Sequence, residues 1–147
     1  MYEYKIKVTR VVDGDTVDAE VDLGFDTFIK DSIRLMGIDT PESRTRNKKE
    51  KALGLAAKAY LKELLKENKG NIRLRTSKEG KGKFGRILGT RCIEVEGFWC
   101  SVNQMLIDDG HARPYYGGSK GEQGEWTLEQ NGTWYRWTQN GYVYMKE

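Results

Sequence analysis

Histidine and cysteine are nearly absent from this 147-residue chain. The one histidine, His111, lies outside every cluster of polar side chains, which argues against a histidine-based hydrolytic mechanism. The two cysteines, Cys92 and Cys100, have no metal-type spacing. They flank Glu96-Gly97, which reads as a two-residue hairpin turn. In that register Ile93 faces Cys100 and Cys92 faces Ser101, so the sulfurs fall on opposite faces and reduced thiols are expected. No apolar run approaches the length of a membrane span. The N-terminal stretch through Val8 alternates like a strand and has no signal-peptide core, so the chain as written is expected in the cytoplasm. A large excess of one charge is also missing. Charged residues make up 32% of the chain and the net charge is only +3, so composition alone does not mark a nucleic-acid binder.

What is present is a distribution of charge. Arg44-Thr45-Arg46-Asn47-Lys48-Lys49 is one basic run, and residues 73–91 carry another that includes Lys83 and Arg86. Acidic residues lean towards residues 13–31. A basic middle beside a compact acidic site can hold a polyanion while binding a metal.

Tyr4, Ile6 and Val8 share one face of a first strand over residues 3–12. Asp13-Gly14 is a turn dipeptide. Val17, Ala19 and Val21 alternate with Asp18, Glu20 and Asp22 in a half-buried second strand. Phe28 to Leu35 reads as a third strand, with Arg34 pointing away from Ile33 and Leu35. Residues 48–68 form the best helix, with Leu53, Ala57, Tyr60, Leu61 and Leu64 on one face and Gly70 at its stop. Ile72 and Leu74 mark a fourth strand, and Ile87–Val95 with Phe98–Cys100 the next hairpin. Ser101 and Gln104 suit a capping box for a short helix carrying Val102, Met105 and Leu106, ended by Gly110. In the tail, Asn131-Gly132 and Asn140-Gly141 are strong hairpin signals. Turns at those dipeptides pair Leu128 with Tyr135, Trp126 with Trp137, and Trp137 with Tyr144. Trp126, Leu128, Tyr135, Trp137, Tyr142 and Tyr144 then share one face of a three-stranded meander. The fold class expected is α+β: a five-stranded OB-type barrel with two helices and a C-terminal aromatic meander.

Chemistry concentrates in a few positions. A phosphodiester resists water because its charge repels nucleophiles and its leaving alkoxide is poor. A hard divalent cation with oxygen ligands can offset both obstacles. Asp15 and Asp39 offer carboxylates, and Thr40 offers a carbonyl beside them. Arg34 and Arg86 suit a phosphate, because arginine donates two parallel hydrogen bonds. Glu42 could accept a proton from water. An EF-hand is excluded, since Val17 occupies a ligand position and no closing glutamate follows.

Taken in order, Val11-Val12-Asp13-Gly14-Asp15-Thr16-Val17, Ile33 through Glu42, Phe84-Gly85-Arg86 and Val102 through Ala112 resemble the successive signatures of staphylococcal-nuclease-like (thermonuclease) domains. The resemblance covers about residues 4–117. It implies a calcium-dependent nuclease on an OB-type barrel, acting on DNA and RNA with little sequence specificity and leaving 3′-phosphates. By the same resemblance Asp15, Asp39 and the Thr40 carbonyl hold Ca2+, Arg34 and Arg86 grip the scissile phosphate, and Glu42 activates water. Asp13 supports that group, while Lys83, Phe84, Tyr115 and Tyr116 fall where the family touches the nucleotide. The alternative is a catalytically silent nucleic-acid-binding module.

Two departures from the family stand out. A third helix is commonly found where this chain has its aromatic tail. Residues 1–118 are therefore expected to form the nuclease domain, with 119–147 as a β extension whose aromatic face packs on the barrel. The other use of that face, a stacking platform for single-stranded bases, is less expected. The family's enzymes are typically secreted, and cytosolic calcium is low for a weak site. Action after lysis, in a virus-like setting or with another metal would resolve the mismatch. A monomer acting on nucleic acid, with no membrane partner, is expected.

Overall fold

A computed structural model describes residues 2–76, 92–95, 102–115 and 124–145. The chain is α+β, with two helices and antiparallel strands. Strand β1 (Tyr2–Asp13) is long enough to serve two neighbours. Its second half pairs with β2 (Thr16–Asp22), and its first four residues pair with β5 (Ile72–Thr76). With β3 (Phe28–Arg34) on one side and β6 (Cys92–Val95) on the other, the order is β3-β2-β1-β5-β6. Closure of these strands into a barrel is not among the pairings of the described residues. The strict alternation of β2 is matched by its burial, with Val17, Ala19 and Val21 inside. Full burial of each such valine contributes about 1.5–3 kcal/mol. Leu35 lies just past β3 and is as buried as Ile33. Residues 96–101, which include the expected hairpin turn, Cys100 and the capping Ser101, lie outside the described residues.

Helix α1 (Lys48–Glu67) starts at Asn47, whose side-chain oxygen accepts from the Lys49 and Glu50 amides at 3.1 Å each. That satisfies two of the amides left open at a helix start. Its buried stripe is Gly54, Ala57, Leu61 and Leu65; of the expected face Ala57 and Leu61 are buried and Leu53, Tyr60 and Leu64 half-buried, while Gly54 and Leu65 were not expected there. For Gly54 the reason is close approach. A Cβ on Gly54 would lie 2.5 Å from the Glu42 carbonyl carbon and oxygen and 2.6 Å from the Ser43 nitrogen. The helix thus turns its smallest residue to the chain crossing it. Helix α2 (Val102–Asp108) buries Val102, Asn103 and Leu106, and Gly110 follows it at φ +79°. No helix among the described residues is long and apolar enough to cross a membrane.

Two short strands were not expected from the sequence. β4 (Ile38–Asp39) and β7 (Arg113–Pro114) pair as an isolated ribbon that places Asp39 opposite Arg113.

The C-terminal strands β8 (Thr127–Gln130), β9 (Thr133–Thr138) and β10 (Gly141–Tyr144) form a separate antiparallel sheet. The first turn falls at Asn131-Gly132, both with positive φ as a type I′ turn requires. The second differs from expectation. Gly141 pairs with Thr138, so the turn residues are Gln139-Asn140, and Trp137 pairs with Tyr142 rather than Tyr144. The Thr138 hydroxyl accepts from the Asn140 amide and donates to the Gly141 carbonyl, closing a two-residue turn one position earlier than expected, which moves each cross-strand partner by two. A shift of two preserves facing, so the aromatic residues remain together.

That face packs only in part. Trp126 is buried, but Leu128, Tyr142 and Tyr144 are exposed. Much of the sheet's docking runs through the opposite face. Thr127 accepts from the Asn47 side chain at 3.1 Å, Arg136 donates to the Gly110 carbonyl at 2.8 Å, and Lys49 lies 6.0 Å from the Trp134 ring. Polar and charged groups at α1 and α2 therefore take the place of an apolar seat.

Candidate active site

The two acidic motifs meet because of a glycine. A Cβ on Gly14 would stand 2.9 Å from the Ala57 Cβ and 3.1 Å from two side-chain atoms of Thr40. Only a residue without a side chain lets the Asp13–Asp15 turn sit between α1 and Thr40. Two further bonds lock the arrangement. The Leu35 amide donates to the Asp15 carbonyl at 2.8 Å, and the Ser43 hydroxyl donates to the Asp13 carboxylate at 2.6 Å. Asp13 thus ties the turn to the segment carrying Glu42.

Asp15 is largely buried and accepts from the Thr16 hydroxyl at 3.0 Å. Arg34 Nη1 lies 3.3 Å from its other oxygen. The same guanidinium donates to the carbonyls of Leu35 at 2.8 Å and Ile38 at 3.1 Å. Nη1 and Nη2 are thus each engaged, while among the described residues Nε donates no hydrogen bond. The Nε/Nη2 edge is a fork that matches two phosphate oxygens.

Asp39 and Thr40 are almost wholly buried. Asp39 Oδ2 stands 3.6 Å from Arg113 Nη2, and both side chains are at most 3% exposed. Arg113 in turn stacks on two indoles, with its guanidinium carbon 4.1 Å from the Trp126 ring centre and 5.4 Å from that of Trp137. A buried guanidinium needs both a counter-charge and a polarisable surface, and here it has each. Sequence reasoning missed Arg113. Its partners lie far away in the chain with no periodicity to link them, and a lone arginine between Ala112 and Pro114 gives no local signal.

Asp39, Thr40, Glu42, Glu50, Glu125 and Trp126 line a cavity of about 160 Å³. Glu42 is exposed at its mouth, and its amide donates to Glu50 at 3.3 Å. Burial, above all, holds the Glu50 carboxyl above its ordinary pKa. The Glu42 amide bond opposes that, and the charges of Glu42, Glu125 and Asp39 add to it.

The structure therefore brings Asp15 to Arg34, and Asp39 and Thr40 to Glu42. Tyr115 is half-buried, its amide donating to the Gly37 carbonyl at 2.8 Å. Lys83, Phe84, Arg86 and Tyr116 lie outside the described residues. Among the described residues no three acidic, imidazole or thiolate groups converge as a metal cluster. The donors nonetheless suit a hard cation in kind. Two carboxylates are buried, and the buried Thr40 hydroxyl oxygen has no hydrogen-bond partner.

Residues 32–131 match the staphylococcal nuclease homologue family. The chain belongs to that family. The matched stretch takes in Arg34 through Glu42, Arg113 and all of β8, while the Asp13–Thr16 turn precedes it. The thermonuclease of Staphylococcus intermedius is 36% identical over 106 residues, which cover 72% of this chain and 56% of that protein. The thermonuclease of Staphylococcus hyicus is 32% identical over 111 residues, covering 76% and 59%. Endonuclease YncB of Bacillus subtilis is 31% identical over 112 residues, covering 76% and 48%. This staphylococcal nuclease homologue thus spans somewhat more than half the length of the two thermonucleases.

Proposed function

We propose that the chain is a calcium-dependent nuclease that hydrolyses DNA and RNA with little sequence specificity, cleaves the bond to the 5′ oxygen and leaves 3′-phosphates. The observation that supports this reading is the seating of the Gly14 turn on Thr40, the neighbour of Asp39 in the chain, together with the Asp15–Arg34 ion pair. Asp15, Asp39 and the Thr40 carbonyl would hold one divalent ion, with waters completing its oxygen shell. When bound, that ion supplies charge neutralisation for the attacked phosphate. The free edge of Arg34 receives two phosphate oxygens, and Arg86 is assigned a second grip on the same group. Glu42, exposed at the cavity mouth, accepts the proton of the attacking water. Lys83, Phe84, Tyr115 and Tyr116 are assigned to the nucleotide. Closure of the main strands into an OB-type barrel, with residues 119–147 as an extension in place of a third helix, belongs to the same proposal. So does action as a monomer.

The test maps the ends left on single-stranded DNA and RNA after incubation with calcium. The expected products carry 3′-phosphates. Products with 5′-phosphates contradict the assigned bond. Binding without cleavage, across a range of divalent ions, identifies a silent nucleic-acid-binding module instead.

A further inference from the structure

A groove larger than the acidic cavity lies away from that site. It has a volume of about 440 Å³ and runs between β1 and the second half of α1. Its floor is the edge of the core, formed by Ile6, Val11, Leu65 and Ile72. Its rim carries Lys7, Arg10, Lys62, Lys66 and Lys69, all exposed. No carboxylate lines it, and among the described residues none of the five cations forms an ion pair. Among the described residues these charges have no ion-pair partner, although Asp18 and Glu20 stand opposite Arg10 and Lys7 on β2.

We propose that this groove is a second binding site for single-stranded nucleic acid, engaged by substrate outside the acidic site. The chemistry fits: five exposed cations along one groove attract a run of phosphates, in the way a positively charged groove tracks the backbone of a single strand. The position also fits. Ala57 touches the Gly14 turn and Leu65 lines the groove, a separation of about 12 Å along α1 at 1.5 Å per residue. The inference rests on the nuclease reading for the identity of the polymer, but its test does not require cleavage.

The probe is a fluorescent oligothymidylate bound by the full chain in EDTA, with affinity followed from 50 to 200 mM salt. Each phosphate contact with a single strand contributes about 0.7 to the slope of log affinity against log salt. Replacing Lys62, Lys66 and Lys69 by glutamine is expected to reduce that slope by about 2. The wild type then loses about 16-fold more affinity than the variant over this range. Lys66 lies in the last turn of α1, where its charge supports the helix. The strand-side variant Lys7→Gln/Arg10→Gln therefore provides a second arm, with a slope change of about 1.4. Cleavage of a dinucleotide, too short to reach the groove, is expected to be unchanged in both. Unaltered slopes in both variants overturn the proposal. So does a loss of binding to phosphatidylserine vesicles with oligonucleotide affinity intact, which would mark a membrane-facing surface. If no cleavage is ever seen but the slopes fall, the groove stands and the nuclease reading fails. Cleavage with unaltered slopes leaves the reverse.

Discussion

Gly54→Ala sets two opposing effects against each other inside α1. By helix propensity alone the change stabilises by about 1 kcal/mol. The new Cβ, however, would meet the backbone of Glu42 and Ser43 at 2.5–2.6 Å, where ordinary contact begins at 3.4 Å. About 0.9 Å must be recovered. The helix resists moving, because Ala57 and Leu61 are fully buried and Ala57 also abuts the Gly14 turn. The segment carrying Glu42 gives way instead. Overpacking of this kind costs about 1–3 kcal/mol, so the net loss of stability is about 0–2 kcal/mol. The larger effect falls on turnover. A displacement near 1 Å at a reacting group costs about 100-fold in rate. Urea unfolding and steady-state cleavage of a short oligonucleotide, measured on one preparation, separate the two. A protein stabilised by about 1 kcal/mol with cleavage within twofold of wild type would refute the reasoning and leave Gly54 an ordinary weak point of the helix.

Arg113→Met strips Asp39 of its buried counter-charge and leaves the two indoles stacked on an uncharged chain. A loss of about 3–5 kcal/mol is expected, or a fall in Tm of about 10 °C, and a loss under 1 kcal/mol would remove the pair from the structural account. Glu50 has the opposite pH signature from a salt-bridged acid. Its raised pKa means that the folded state holds the proton more tightly, so stability falls as pH rises from the group's ordinary value through its raised one. Glu50→Gln should therefore be more stable than wild type at pH 7 and converge with it in acid; parallel curves would contradict the assignment. Glu42→Ala should lower turnover far more than nucleotide affinity, and equal losses in both would mark a structural role.

Much of the fold could be read from local periodicity. β2 alternates because one face of a sheet is buried, and α1 runs its full length because its apolar residues recur at helical spacing. The acidic turn and the Arg34–Glu42 run were visible as chemistry, and the structure adds the contact that joins them. What stayed hidden depended on distance or on single atoms. Gly54 looks like a defect in a helix until the crossing backbone is seen. Strands of two residues, β4 and β7, carry no period, so the Asp39–Arg113 pair could not be anticipated. In the tail, both placements of the second turn use Gly141, and a threonine hydroxyl decides between them. The aromatic residues were assigned to one face correctly. The burial expected of that face is met at Trp126 and in part at Tyr135 and Trp137, but not at Leu128, Tyr142 and Tyr144, and polar contacts from Asn47, Lys49 and Gly110 dock the other side.

The most direct test of the account is cleavage of a labelled single strand by the full chain, measured with calcium, with chelator, and with Asp39→Asn. Cleavage in calcium that disappears in chelator and falls by about 100-fold in the variant is the predicted result, since loss of even an outer partner of a metal ligand costs about 10–100-fold. Undiminished cleavage in chelator, or by the Asp39→Asn protein, would contradict a metal-dependent site built on Asp15 and Asp39.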